Sequence, residues 1–172
     1  MKELVRLFVQ IAVMRKGPQD VPASVALLAA TAAAFFLINC LVSVVLPPIP
    51  GPWLTQLVIE VVFTFAWYAL LLKILRRPER FLQTTTAVFG YQAVLAPLSI
   101  AAVWLVRRYA DDDMWRLPIS LLALAIVVWQ VAANTSVLKA ALEWGTPACV
   151  ALVILQNLAE QILLLYVFSV PG

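Results

Sequence analysis

Apolar residues fall into one short stretch at helical spacing, followed by five long runs. In the short stretch, Lys2 to Lys16, Leu4, Leu7, Phe8, Ile11 and Met14 recur every three or four positions, while Lys2, Glu3, Arg6 and Gln10 occupy another side. This pattern predicts an amphipathic helix lying on a membrane surface, ended by Gly17-Pro18. A cleaved leader fits less well: Arg6 and Gln10 interrupt the apolar run, and no small-residue cleavage site precedes Arg15-Lys16.

The first long run, 22–46, opens behind Asp20 and holds 25 residues without a charge. At ~1.5 Å per residue that crosses a hydrocarbon core of about 30 Å. Within it Ala26, Ala30 and Ala34 form a small-residue stripe that would allow close helix packing in lipid, although alanine is common enough to give such a spacing by chance. The turn Pro47-Pro48-Ile49-Pro50-Gly51-Pro52 breaks the helix. Further spans are predicted over about 54–72, 81–106, 117–138 and 146–170, with a kink in the third around Gly90, Gln92 and Pro97. The expected fold is an all-α integral membrane protein: an amphipathic interfacial helix within 1–19 and a five-helix transmembrane bundle over 20–172.

Composition agrees. The chain is 64% hydrophobic and 12% charged, with mean hydropathy +0.97, whereas soluble domains are about 45–50% apolar and about 25% charged. The bilayer is therefore expected to solvate much of the surface. The net charge is +3, but the basic residues lie in short runs between spans, a pattern that sets topology and argues against nucleic-acid binding. Nine of them (Lys2, Arg6, Arg15, Lys16, Lys73, Arg76, Arg77, Arg80, Lys139) fall on one side, against Arg107, Arg108 and Arg116 on the other. The positive-inside rule then places the N-terminus in the cytoplasm and the C-terminus outside. Trp53, Trp104, Tyr109, Trp115 and Tyr166 fall at the outer interface and Trp144 at the inner one, where aromatic belts form. The short loops fit a bacterial inner-membrane protein.

Much chemistry is excluded. Without histidine there is no Ser-His or Cys-His catalysis and no HExxH zinc site. Cys40 and Cys149 fall near opposite faces, too far apart for the ~5.5 Å Cα separation of a disulfide, and are expected to be buried thiols. No nucleotide-binding fingerprint is present. No enzymatic activity, cofactor or metal is expected. The Asp111-Asp112-Asp113 run could offer oxygens to a divalent cation, but pairing with Arg107 and Arg108 is the simpler reading.

The spans contain two carboxylates, Glu60 and Glu160, both roughly 10 Å below the outer interface at ~1.5 Å per residue. Asn39 lies at similar depth, and Gln56, Gln156, Asn157 and Gln161 are helical neighbours of the two acids. Asn39, Gln56, Glu60, Asn157 and Glu160 are the candidate intramembrane polar cluster. It could form a proton or cation site, or consist of protonated acids hydrogen-bonding helices together. Gln83 and Thr84 to Thr86 are expected to satisfy the first N–H groups of the third span, and Gln92, Gln130 and Asn134 to bond between helices.

The third span and its loop read Arg76-Arg77-Pro78-Glu79-Arg80-Phe81, then Phe89-Gly90-Tyr91, then Ala96-Pro97-Leu98. A basic loop, a Gly-Tyr and a mid-helix proline in a five-span layout resemble the Yip1-domain membrane proteins over about residues 20–170. The resemblance implies five spans and a cytoplasmic N-terminus. Eukaryotic members bind small GTPases through a long N-terminal region with a Tyr-Gly-Pro motif that is missing here, so that property is not carried over. Two readings follow. One is a non-enzymatic protein that scaffolds, assembles or modulates other membrane components, or a homo-oligomer, with Arg76, Arg77 and Arg80 as partner or lipid contacts. The other is a small proton- or cation-coupled transporter or channel subunit using Glu60 and Glu160.

Overall fold

The computed structural model describes residues 2–45 and 52–169. It is all-helical over these residues: α1 Lys2–Ala12, α2 Val25–Val45, α3 Trp53–Ile74, α4 Phe81–Arg108, α5 Arg116–Leu142 and α6 Thr146–Ser169, with 3-10 turns at Pro18–Asp20 and Pro78–Arg80. Five helices, α2 to α6, are long and apolar enough to cross a membrane. The end of the first predicted span at 46, the proline turn up to residue 51 and the last span's end at 170 lie outside the described residues.

α4 is the central helix, packed against α1, α2, α3 and α5, while α6 closes onto α5 and α3. The α2–α4 seam is built on Leu28, Thr31 and Phe35, and the Phe35 and Phe65 rings meet buried Phe89 at centroid distances of 5.7 and 4.9 Å. The alanine stripe does not form this seam. Ala26 and Ala30 are exposed, because the bulkier apolar residues of the neighbouring face turn inward. We call the end of the bundle bearing Arg77, Arg80 and Glu143 the basic end, and the opposite end, with the 109–115 loop, the far end.

Several boundaries differ from the sequence reading. α1 stops at Ala12 rather than at Gly17, because Met14 takes a left-handed φ of 59° and the Arg15 and Lys16 amides donate back to the Gln10 carbonyl. α2 starts at Val25 rather than Pro22. Proline disfavours a helical conformation at the residue before it, and Val21 is extended (φ −90°, ψ 130°). Ser24 Oγ instead accepts the Leu27 amide, while Asp20 accepts the Gly17 amide. α4 continues as one helix through Pro97, with Ser99 Oγ donating to the Leu95 carbonyl. The threonines do not cap α4. Its start has no side-chain cap, the Gln83 amide donates to the Val21 carbonyl, and the hydroxyls of Thr84, Thr85 and Thr86 are buried without partners.

α1 is amphipathic, but its apolar face packs on protein. Phe8, Ile11 and Ala12 are buried against α4 and α5. Phe8 lies where Gly90 leaves room: a Cβ at Gly90 would stand 2.2 Å from the ring. The Trp129 indole N–H donates to the Ala12 carbonyl at 2.8 Å, satisfying an otherwise unpaired group at the helix end. What α1 turns outward is a second stripe, Val5 and Val9, beside Lys2 and Arg6, with exposed Val13 just past its end.

Candidate functional site

Each span carries polar residues at helical spacing, and the packing turns them toward one another. On α3, Gln56, Glu60, Thr64 and Tyr68 recur every fourth residue; on α6, Gln156, Asn157 and Glu160 share a face; on α5, Gln130 and Asn134 do. Together with Asn39 of α2 and Gln92 and Ser99 of α4, all of these except Thr64 and Tyr68 line a cavity of about 520 Å³. All five spans line it, and so do all five residues of the candidate cluster, Asn39, Gln56, Glu60, Asn157 and Glu160. Gln56 and Asn157 are exposed, and Asn39, Glu60 and Glu160 are half-buried.

The cavity has a hydrogen-bonded floor. The Tyr68 hydroxyl lies 2.8 Å from Asn134 Oδ1 and 3.1 Å from Gln156 Oε1, and the Asn134 amide also donates to Gln156. This triad joins α3, α5 and α6, about 20 Å from the far end of α3 at ~1.5 Å per residue. Toward the basic end Leu72, Val88, Leu138 and Leu142 are fully buried. Tyr68 was missed in the sequence, although its place at the end of the α3 polar stripe was the signal that could have found it.

The electrostatics are one-sided. No lysine or arginine lines the cavity. Among the described residues the ion pairs are Arg77 and Arg80 with Glu143, at the basic end, so Glu60 and Glu160 have no cationic partner. The expected interhelical bond from Gln130 is present, to Ser99 Oγ at 2.6 Å, but Gln92 Oε1 is buried without a partner. Among the described residues no group of three His, Cys, Asp or Glu gathers in a metal-binding arrangement. Cys40 and Cys149 are free thiols, Cys149 buried and Cys40 half-buried.

No family model, curated protein or solved structure matches the chain.

At the basic end two of the three loop arginines, Arg77 and Arg80, bond within the molecule while staying partly exposed. Arg77 Nη2 meets Glu143 Oε2 at 3.0 Å, and Arg80 pairs with the same carboxylate and donates to the Ala140 and Ala141 carbonyls at the end of α5. These hydrogen bonds, from Arg77 first and then Arg80, hold the Glu143 carboxyl down at about 2. Arg76, with a left-handed φ of 56°, is exposed and makes no ion pair among the described residues. The acidic run also departs from expectation. Asp112 Oδ1 accepts the Met114 and Trp115 amides and shapes its own turn, and none of the three aspartates pairs with Arg107 or Arg108.

Proposed function

We propose that this is a non-enzymatic integral membrane protein that takes a cation into the central cavity and works as a small cation-coupled carrier or channel subunit. One observation carries the reading: all five spans contribute to a single polar cavity holding both intramembrane carboxylates and no basic side chain. If these groups served packing alone, they would pair with one another, because a buried polar group without a partner costs about 1–3 kcal/mol. The Tyr68 triad pairs in this way, whereas Glu60 and Glu160, half-buried at the cavity wall, make no ion pair with protein. Intramembrane acids facing a bundle interior commonly mark ion pathways.

The basic asymmetry supports a cytoplasmic N-terminus and an external C-terminus, which would put the cavity in the outer part of the bundle, and the short loops favour a bacterial inner membrane. Kinship with the Yip1-domain proteins stays a proposal resting on the loop and third-span residues. A scaffolding role has a narrower support in exposed Arg76 and the exposed alanines of α2, and a stoichiometric partner recovered in mild detergent would favour it. The carrier reading is tested in proteoliposomes. Wild-type protein should dissipate an imposed cation or proton gradient faster than empty vesicles, and Glu60→Gln with Glu160→Gln should abolish this while elution volume and helical content stay unchanged. Equal flux from the double variant would refute the carboxylate role.

A further inference from the structure

The choice of cation follows from which groups face the cavity unpaired. This step rests on the cation reading above. Where the structure pairs an amide nitrogen here, it turns it onto protein: Asn39 Nδ2 donates to the Phe35 carbonyl at 2.8 Å, Asn157 Nδ2 to the Val153 carbonyl at 2.7 Å, and Gln130 Nε2 to Ser99 Oγ. Ser99 in turn gives its proton to the Leu95 carbonyl. The oxygens of these three amides accept no hydrogen bond from protein. With the carboxylates of Glu60 and Glu160, the cavity offers an excess of acceptors distributed over four spans, α2, α3, α5 and α6.

That distribution suits neither a bare metal ion nor a neutral solute. Calcium wants six to eight oxygens at about 2.3–2.6 Å from one point, and no compact acidic group exists among the described residues. The volume, about 520 Å³, falls in the range of about 300–1,000 Å³ typical of small organic ligands. Phe35, Tyr91, Val127 and Val131 supply apolar wall between the polar groups. We infer that the cavity binds an organic ammonium ion, its N–H groups satisfied by Glu60, Glu160 and the amide oxygens and its apolar body held against that wall.

Thermal unfolding of the whole chain in maltoside micelles free of aminolipid, followed by tryptophan fluorescence, tests this with four probes: benzylamine hydrochloride, benzyl alcohol, sodium chloride and calcium chloride. Benzylamine should raise the midpoint saturably and benzyl alcohol should not. Asn157→Leu removes an exposed amide whose oxygen accepts from no protein group and whose nitrogen bonds only within its own helix, so it should leave the unliganded fold intact and weaken benzylamine binding about tenfold, the scale of one hydrogen bond to a charged group. Glu60→Gln with Glu160→Gln should weaken it more. Adding phosphatidylethanolamine separates two sources of the ammonium: competition with benzylamine assigns a lipid headgroup, independence a soluble amine, and either supports the inference. A saturable response to sodium or calcium that benzylamine neither reproduces nor competes with would overturn the ammonium assignment and leave the cation reading standing. Equal responses to benzylamine and benzyl alcohol, or none to any probe, would remove both.

Discussion

Replacing Gly90 by alanine sets two terms of known sign against each other. Glycine in a helix interior costs about 1 kcal/mol relative to alanine, so propensity alone favours the change. The new Cβ, however, would lie 2.2 Å from Phe8 Cδ1 and Cε1 and 2.7 Å from Cγ. Ordinary contact begins at 3.4 Å, so the ring has to retreat by about 1.2 Å. Phe8 is only 7% exposed and has little room to do so without moving α1. Over-packing of this kind costs about 1–3 kcal/mol. The net expectation for Gly90→Ala is a loss of about 1 kcal/mol. In a Phe8→Ala background the clash is gone and the same substitution should stabilise by about 1 kcal/mol, a reversal of sign. Detergent titration followed by circular dichroism reads the global term. Thiol labelling of Ala12→Cys, in a chain whose own cysteines are replaced by alanine, reads the docking of α1. Ala12 is 2% exposed, so its cysteine should be protected, and Gly90→Ala should speed labelling about fivefold. If Gly90→Ala stabilises in both backgrounds and leaves labelling unchanged, Phe8 does not sit over Gly90.

Two further outcomes are expected. Tyr68→Phe deletes the hydroxyl between Asn134 and Gln156 and should destabilise the bundle by about 0.6 kcal/mol, toward the low end of the soluble-protein range because a chain unfolded within lipid finds other partners; an unchanged unfolding midpoint would deny the triad a role. For Glu143, the folded carboxyl is held at about 2, below its ordinary 4.5, so the stability it contributes is complete above about 4.5 and is lost as pH falls toward 2. Glu143→Gln should flatten the pH dependence of the unfolding midpoint in that window, and an identical profile would refute the clasp.

The spans were legible because hydropathy over a full helix is a local property that packing does not alter. The polar cavity was partly legible for a related reason. Glu60 and Glu160 are conspicuous in lipid-compatible sequence, and Gln56, Glu60, Thr64 and Tyr68 repeat on one face of α3. What stayed hidden depends on tertiary choice. An amphipathic face looks the same whether it meets lipid or protein, so the docking of Phe8 and Ile11 could not be read from their spacing. Arg80 and Glu143 are separated by 63 positions, and nothing local to either announces the pair. The end of α1 was misplaced because Met14, not the glycine three residues on, takes the left-handed conformation.

The bond from the Trp129 indole to the Ala12 carbonyl spans 117 positions, and that separation imposes an order in time. α1 leaves the ribosome first, but the surfaces that receive it, α4 and α5, are made later. Until they arrive, Phe8 and Ile11 lack the protein cover they have in the folded bundle. Seating α1 is thus a late event in biogenesis, and it reports that α4 and α5 have come together.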